Sequence, residues 1–250
     1  MLRRKKIDFY FQLFLTIITT VTAVLSHNNM PRIPEIYSLD GNIGSGKSTF
    51  LEYLSKQFGK LVFGRQIIYL KEPVDVWESI QDSEGNTIIK KFYSDQKRYS
   101  FSFQMMAYIS RLALLQKTIK ENPDTIIITE RCVHTDKNVF AKMLYDSGMI
   151  EEIEYKIYLQ WFDTFIEELP LSGIIYMDTP PKLCKERIEK RARDGESIPL
   201  DYLVSCDKYH KDWMKTYPDA KLLFLDGNIE KNEKNYEKHL NQVRKFVTWR

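Results

Sequence analysis

Residues 38–50 carry the side chains whose types and spacing most directly indicate chemistry. Gly41, Gly46, Lys47 and Ser48 fit the pattern G-x-x-x-x-G-K-[ST], with an apolar run before it and a helical pattern after it. In that context the pattern is typical of a phosphate-binding loop. Glycines let backbone N–H groups turn towards phosphate oxygens, the lysine ammonium meets the β- and γ-phosphates, and the serine hydroxyl reaches Mg²⁺. The stretch therefore predicts binding of a nucleoside triphosphate.

Two other predicted strands end in an acid with further functional side chains beside it. Glu72 ends one and is followed by Trp77, and Glu130-Arg131 ends another. A carboxylate beside a phosphate loop can accept a hydrogen bond from an attacking hydroxyl, and a second acid can lie at hydroxyl or metal distance. The arginine would meet charge that develops on a transferring phosphate. Each alone could be a structural ion pair, but with the loop they predict a phosphoryl-transfer site.

A long apolar helix carries Gln104, Ala107, Tyr108 and Arg111 at spacings i, i+3, i+4 and i+7, which place them on one stripe. A glutamine amide both donates and accepts, so it can pair with the edge of a nucleobase. A solvated polar stripe is the alternative, although the apolar neighbours leave little solvated surface. We interpret the stripe as a ligand-binding face.

Three arginines, Arg187, Arg191 and Arg193, lie where another predicted helix runs into a glycine-containing stretch. At spacings of four and two, their guanidinium groups can close over triphosphate oxygens. The alternative is an ordinary solvated helix end.

The elements that position these residues follow a βαβ pattern. Five short runs rich in β-branched and apolar residues are separated by helical periodicity, which predicts a parallel sheet covered on both faces; the runs are 35–40, 66–72, 125–130, 173–178 and 221–226. Ligands of such sheets bind outside the carboxyl ends of the strands. Each run ends in an acid, and we expect several to gather near the phosphate loop, with Asp178 and Asp226 capping the helices that follow them.

Helical periodicity predicts seven helices between these strands and no second domain after residue 30. Their predicted ranges are 47–58, 99–120, 136–146, 150–168, 181–193, 200–217 and 232–246. A break at Ser147-Gly148 separates the third from the fourth. We therefore expect one domain over residues 30–250.

Composition narrows the class of protein further. The net charge of +3 lies entirely within residues 1–29, so the neutral remainder does not support a nucleic-acid-binding role. Cys132, Cys184 and Cys206 match no metal-ligand spacing and cannot all pair. They indicate reduced packing residues in a reducing compartment.

The first 29 residues form an extension in which a basic cluster runs into an apolar stretch at 9–25. Three interpretations stay open: a signal peptide or membrane anchor, a mitochondrial presequence, or a dispensable tail ahead of a functional start at Met30. We expect any contact with a membrane to involve residues 3–25 alone. A cytoplasmic location is the first expectation, and a mitochondrial or anchored enzyme is the alternative.

The chain resembles the deoxyribonucleoside kinases of the deoxycytidine and deoxyguanosine kinase group over roughly residues 33–250. The segments that carry the resemblance include Lys71-Glu-Pro-Val, the run 99–104, Ser110-Arg111, Glu130-Arg131 with Asp136, and the arginine cluster followed by the run 198–203. The resemblance implies a P-loop fold, ATP and Mg²⁺ as cofactors, a deoxynucleoside as small-molecule substrate, and a homodimer formed through helices of the kind at 101–120 and 136–168.

Site residues follow from the resemblance position by position. It implies that Glu72 is the base that takes the 5′-hydroxyl proton, with Arg131 as its partner, and that Ser48 and Glu130 hold Mg²⁺. The implied nucleotide-binding residues are Gly41, Asn42, Ile43, Gly44, Ser45, Gly46, Lys47, Ser48, Thr49, Arg187, Arg191 and Arg193. The implied substrate-binding residues are Glu72, Trp77, Tyr93, Gln104, Ala107, Arg111, Arg131, Asp136 and Glu196.

Ala107, Arg111 and Asp136 occupy the positions on which base choice turns in that group. The set is similar to that of enzymes accepting deoxycytidine and purine deoxynucleosides, because an arginine–aspartate pair presents polar atoms to the base and leaves little room for a thymine methyl. Two residues depart from the group's pattern, Asp40 in place of Glu and Cys132 in place of Ser, and the segment 193–198 is one residue shorter.

The sequence thus predicts an ATP-dependent kinase that phosphorylates the 5′-hydroxyl of deoxycytidine or purine deoxynucleosides in nucleotide salvage. One alternative is a kinase of thymidylate kinase type, which uses the same loop on a monophosphate acceptor. A membrane-anchored nucleotide-binding protein without catalysis is the other.

Overall fold

Five parallel strands and one short antiparallel edge strand build the central sheet of this computed structural model, which describes residues 34–59, 61–62, 64–166, 171–193, 195–218, 221–229 and 232–248. The strands are β1 Glu35–Gly41, β2 Leu61–Val62, β3 Arg65–Leu70, β4 Thr125–Glu130, β5 Gly173–Asp178 and β6 Leu222–Asp226. Their spatial order is β2-β3-β4-β1-β5-β6, with β2 antiparallel to β3. The five predicted parallel strands and the α/β fold class are confirmed. β2 was not predicted, because two residues are too few to show periodicity.

Both faces of the sheet are buried at its central strands β1, β4 and β5, which explains why these strands read as continuous apolar runs. Every residue of β4 is buried. Its alternate side chains enter different core clusters: Ile127 packs in one cluster with Ile36 and Ile174, while Ile126 and Ile128 pack in another. This alternation follows from the period of two along a strand.

Helices cover the sheet and connect its strands. They are α1 Lys47–Gln57, α2 Val74–Ser79, α3 Ile88–Ser94, α4 Gln96–Glu121, α5 Val133–Thr135, the π-helix Asp136–Ala141, α6 Lys142–Asp146, α7 Glu152–Ile166, α8 Pro181–Arg191, α9 Leu200–Met214 and α10 Glu233–Thr248. The predicted helices are present with shifted ends, whereas α2 and α3 were missed because each is about two turns long or less. The predicted break at Ser147-Gly148 separates α6 from α7.

The expectation that Asp178 and Asp226 cap helices is wrong. Helix α8 begins after Pro180 without a side-chain cap, and Asp178 instead lies 3.4 Å from the Lys211 ammonium. Asp226 accepts from the backbone N–H of Asn228 in a turn, well before α10 begins. A strand-ending acid therefore need not reach the helix that follows, because the connecting loop sets its distance from that helix.

Strand order brings the segments that carry the predicted site residues to one edge of the sheet. β1 lies between β4 and β5, and Leu39 of β1 is in register with Glu130 at the end of β4. β3 lies on the other side of β4, with Leu70 opposite Thr129. The phosphate loop after β1, Glu72 after β3 and Arg131 after β4 therefore meet beyond the carboxyl ends of adjacent strands, where such folds bind ligands.

No helix in the part of the chain that the structure describes combines the length and apolar character needed to cross a membrane. The predictions for residues 1–29 lie outside the described residues.

Candidate active site

A cleft of about 1140 Å³ opens at the carboxyl ends of the strands. Nineteen of the predicted site residues line it: Ile43, Gly44, Gly46, Lys47, Ser48, Thr49, Glu72, Trp77, Tyr93, Gln104, Ala107, Arg111, Glu130, Arg131, Asp136, Arg187, Arg191, Arg193 and Glu196. The three that do not line it, Gly41, Asn42 and Ser45, belong to the phosphate loop and are buried behind its surface.

Two glycines of the phosphate loop are required by close backbone approach. A Cβ on Gly41 would lie 2.6 Å from the carbonyl oxygen of Met177, and one on Gly44 would lie 2.5 Å from that of Cys184. Both residues also have positive φ, which side chains disfavour. Glycine therefore lets the loop pack against β5 and α8 while its backbone turns into the cleft.

Side chains behind the loop fix its position. The Asn42 amide donates to the carbonyl of Leu203 in α9 at 2.8 Å, while its own oxygen accepts from the N–H of Ile43. The Ser45 carbonyl accepts from the Thr179 hydroxyl at 3.1 Å. Asn42 therefore connects the loop to α9. It supports the loop and does not line the cleft.

Lys47 points into the buried centre of the loop. Its Nζ donates to the carbonyls of Gly41 and Asn42 at 3.1 and 2.7 Å. Burial and the nearby Arg131 lower the pKa of Lys47 to about 8. The oxygens of a bound phosphate would offset both effects on the pKa of Lys47. The ammonium is therefore suited to binding a triphosphate.

Ser48 and Glu130 converge on one point of the cleft. The Ser48 hydroxyl donates to the Glu130 carboxylate at 2.6 Å, and Glu130 is only 4% exposed. A hydroxyl and a carboxylate are hard oxygen donors of the kind that Mg²⁺ takes together with substrate phosphates. The pair fits a Mg²⁺–nucleotide complex.

Glu72 lies between two arginines. Its Oε1 accepts from Arg131 Nε at 3.0 Å and from Arg111 Nη2 at 3.2 Å. Burial acts to raise the pKa of Glu72, but the two guanidinium groups and the Lys47 ammonium outweigh it and hold the pKa below its usual value. The carboxylate is therefore ionised and can accept a hydrogen bond from a hydroxyl.

Contacts of both its backbone and its side chain fix the position of Arg131. Its φ of 59° is in the left-handed region, and its N–H donates to the Leu39 carbonyl at 3.0 Å. The guanidinium carbon lies 4.8 Å from the centre of the Phe140 ring, and Nη1 lies 3.4 Å from Nε2 of His210. Such a conformation persists only where surrounding contacts determine it.

The far end of the cleft holds the arginine–aspartate pair. Arg111 Nε and Nη2 donate to the two Asp136 oxygens at 2.9 and 3.4 Å, and its Nη1 donates to the Glu130 carbonyl at 3.0 Å. Burial opposes the charge on Arg111, but Asp136 and Glu72 outweigh it and raise its pKa. The bidentate pair is thereby fixed in orientation.

Three further residues line this end of the cleft: Gln104, Ala107 and Trp77. Gln104 is 2% exposed and lines the cleft. The Trp77 ring is oriented by its Nε1–H, which donates to Ser110 Oγ at 2.8 Å. The arrangement offers an aromatic face and an amide to a flat heterocycle.

The segment after α8 brings opposite charges to the mouth of the cleft. Glu196 accepts from Arg191 and lies 3.9 Å from Arg193, and its side chain is 5% exposed. Burial and this nearby carboxylate raise the pKa of Tyr93 well above its ordinary value. Tyr93 and Glu196 both line the cleft.

Arg187 makes contacts that sequence reasoning did not predict. It donates to the carbonyls of Ser45 at 2.9 Å, Gly227 at 3.1 Å and Ile229 at 3.3 Å. It lines the cleft and also joins the phosphate loop to the loop after β6.

The two residues that depart from the family pattern lie behind the site. Asp40 accepts from the hydroxyls of Ser38 and Thr135, the latter at 2.6 Å, and lies 3.9 Å from Cys132 Sγ. Burial raises the pKa of Cys132 to about 12. Both are core residues that support the strand ends. All three cysteines are free and buried, as predicted.

Sequence reasoning missed Phe140 and Tyr202, which line the cleft, and His210, which contacts Arg131 from behind. Tyr202 and His210 lie on α9, whose sequence shows ordinary helical periodicity. Only the position of α9 behind the phosphate loop identifies them.

The protein-family model described as "Deoxynucleoside kinase" matches residues 37–248.

Several curated proteins are similar along most of their length. The chain is 30% identical over 259 aligned positions to the mitochondrial deoxyguanosine kinase of Xenopus laevis, with 91% of this chain and 95% of that protein covered. It is 33% identical over 247 positions to the deoxycytidine kinase of Homo sapiens, covering 87% and 92%. It is 31% identical over 243 positions to deoxycytidine kinase 2 of Gallus gallus, covering 84% and 89%.

Proposed function

The chain belongs to the deoxynucleoside kinase family, and from that premise we propose that it transfers the γ-phosphate of ATP to the 5′-hydroxyl of deoxycytidine or of purine deoxynucleosides. The product is a deoxynucleoside monophosphate, and the reaction serves nucleotide salvage.

The position of Glu72 carries this proposal. It lies within hydrogen-bonding distance of Arg131, next to the phosphate loop, and of Arg111, at the far end of the cleft. A hydroxyl bound there would lie between a triphosphate and a base. The carboxylate would orient the hydroxyl and accept its proton as the phosphoryl group is transferred.

Arg131 acts beside Glu72 in this scheme. Its guanidinium would stabilise charge on the transferring phosphoryl group, because fixed cationic donors act most strongly in a buried site. Both Glu72 and Arg131 are proposed catalytic residues.

The donor nucleotide would occupy the phosphate-loop end. Lys47 and the loop N–H groups would hold its β- and γ-phosphates, and Arg187, Arg191 and Arg193 would contribute charge from the other side. Ser48 and Glu130 would hold Mg²⁺, which would neutralise charge on the phosphates.

The acceptor would occupy the other end. Gln104 would pair with the base, Trp77 and Ala107 would contact its faces and edge, and the pair Arg111–Asp136 would select amino- or oxo-substituted rings. Tyr93 and Glu196 would hold the sugar 3′-hydroxyl. The presence of both side chains in the lining of the cleft supports this assignment.

A thymidylate-kinase-type reaction is less well supported. An acceptor monophosphate would need additional cations beside it, whereas the proposed sugar site offers Tyr93 and Glu196. The family match also favours a nucleoside acceptor. Membership of a kinase family likewise disfavours a binding protein without catalysis.

A homodimer is the proposed assembly. Four apolar residues on α7 are exposed and spaced four residues apart: Ile153 63%, Ile157 40%, Trp161 49% and Phe165 39%. Ile109 of α4 is 50% exposed, and α4 contacts α7 through the Tyr108 hydroxyl and the Trp161 carbonyl. A second copy of the chain is the proposed cover for this stripe.

We assign the domain to residues 30–250 and the enzyme to a reducing compartment, since its three cysteines are free. The cytosol is the first choice, and a mitochondrial or membrane-anchored enzyme is the alternative. Fractionation of cells that express tagged full-length and Met30-start forms would separate these locations.

The test is an assay of the purified full-length protein with ATP, Mg²⁺ and each deoxynucleoside in turn. Monophosphate is expected from deoxycytidine or a purine deoxynucleoside. Competition between deoxynucleosides and their monophosphates identifies the acceptor. Absence of product with every deoxynucleoside would overturn the proposal.

A further inference from the structure

His210 lies outside the cleft but directly behind Arg131. It belongs to α9, is 0% exposed, and presents its Nε2 to Arg131 Nη1 at 3.4 Å. Its ring also contacts Phe140, with ring centres 6.0 Å apart. Phe140 lies against the same guanidinium at 4.8 Å. His210 and Phe140 therefore contact Arg131 away from its bond to Glu72.

The second ring nitrogen determines the tautomer of His210. Nδ1 lies 2.7 Å from the carbonyl oxygen of Cys206, one turn earlier in the same helix. A carbonyl only accepts, so Nδ1 must carry a proton. In a neutral imidazole Nε2 is then the acceptor, and it faces an arginine N–H that is always a donor.

A charged His210 would disrupt this arrangement. Its Nε2–H would face the Arg131 N–H, and two buried cations would be in contact. Burial and the charge of Arg131 accordingly hold the pKa of His210 well below its ordinary value, with a smaller contribution in the same direction from Lys47. The imidazole is thus a neutral acceptor.

We infer that His210 is a positioning residue for catalysis, a neutral acceptor that fixes the Arg131 guanidinium so that its Nε meets Glu72. The inference rests on the proposed roles of Glu72 and Arg131. The Cys206 carbonyl fixes the orientation of the imidazole. The imidazole in turn fixes the position of Nη1 of Arg131. Arg131 also has positive φ, a backbone conformation that persists only where surrounding contacts determine it.

Two substitutions separate this role from an ordinary core contact. His210→Asn keeps a donor for the Cys206 carbonyl but does not reach Arg131. His210→Gln is long enough to present an oxygen to Arg131. For deoxycytidine phosphorylation by the full-length protein, we expect kcat to fall about ten- to hundredfold in His210→Asn with KM within about threefold. We expect His210→Gln to restore kcat to within about threefold of the wild-type value.

Nuclear magnetic resonance of ¹⁵N-histidine-labelled wild-type protein tests the tautomer without using activity or a variant. The His210 ring is expected to show a protonated Nδ1 and an unprotonated Nε2 at neutral pH. The opposite tautomer, or an imidazolium, would overturn the inference. This measurement can overturn the inference even where a variant fails to fold.

The kinetic outcomes are distinguishable from failure of the proposed function. A wild-type protein without kinase activity contradicts the proposed function. An active wild-type protein whose His210→Asn variant keeps kcat within twofold, or whose Asn and Gln variants lose kcat equally, contradicts only the role of His210.

Discussion

The Nε of Arg131 lies 3.0 Å from a carboxylate oxygen of Glu72. This ion pair, in which Arg131 is buried and the Glu72 side chain is 20% exposed, joins the segments after β3 and β4 at the centre of the cleft. It contributes to keeping the Glu72 carboxylate ionised, since Arg131, Arg111 and Lys47 together outweigh the effect of burial on its pKa. The charge of the Glu72 carboxylate and its contact with Arg131 thus depend on each other.

Glu72→Gln is expected to lower kcat by about 10²–10⁴-fold, because a positioned general base contributes an effect of that size. ATP binding, measured by calorimetry, should change little, because Glu72 lies at the acceptor side of the loop. Glu237→Gln is the matched control, since Glu237 is exposed on α10 and does not line the cleft. A kcat for Glu72→Gln within tenfold of wild type would contradict the assigned role.

ATP affinity is expected to depend on Lys47 ionisation. The pKa of Lys47 is lowered from 10.5 to about 8 in the free protein, and bound phosphates would raise it again. Above that pKa, binding must take up a proton, so affinity falls as pH rises, approaching about tenfold per pH unit. Titrations with ATP from pH 7 upward would measure this dependence.

The control for that titration is Lys47→Arg, whose guanidinium keeps its charge throughout the range. Its affinity should vary little with pH. A wild-type affinity equally constant above the pKa would count against this account of Lys47.

Asp136→Asn is expected to reduce the free energy of unfolding by about 3 kcal/mol, because it leaves the buried Arg111 charge poorly compensated. Asp163→Asn makes the same chemical change in an exposed pair with Lys137 and should cost less than about 1 kcal/mol. Urea denaturation measures both. Equal losses would show that burial does not distinguish the two ion pairs.

Ala192→Gly is expected to stabilise the fold by about 0.5–1 kcal/mol. Ala192 ends α8 with φ 51°, and relief of that left-handed conformation outweighs the added flexibility of glycine in the unfolded chain. Ala113→Gly, at an exposed position inside α4, should destabilise by about 1 kcal/mol. Thermal denaturation compares them, and a loss of stability in Ala192→Gly would refute the expectation.

Trp161→Glu is expected to convert the proposed dimer to monomer, since it places a charge within the exposed apolar stripe of α7. Light scattering coupled to size-exclusion chromatography measures the mass. Gln160→Glu adds the same charge at the neighbouring exposed position and should leave the mass unchanged. A wild-type protein that is monomeric at micromolar concentration would contradict the assignment of the stripe as a dimer interface.

Much of the fold and site could be predicted from contiguous segments. The five parallel strands follow from runs of apolar residues, and Lys47 and Ser48 belong to a loop whose phosphate-binding geometry is local. Short elements such as β2 and α2 could not be predicted, because a few residues show no period. The capping roles expected of Asp178 and Asp226 were wrong, because loop paths decide whether a side chain reaches a helix end.

The sequence by itself determined the residue types of a phosphoryl-transfer site and their order along the strands. Only the tertiary structure decided that Arg111 contacts Glu72 as well as its expected partner Asp136, that Arg187 holds two loops, and that His210 lies behind Arg131. The physical reason is that each of these contacts joins segments far apart in the chain. Their distance is set by strand order and helix packing, which no local pattern of residues specifies.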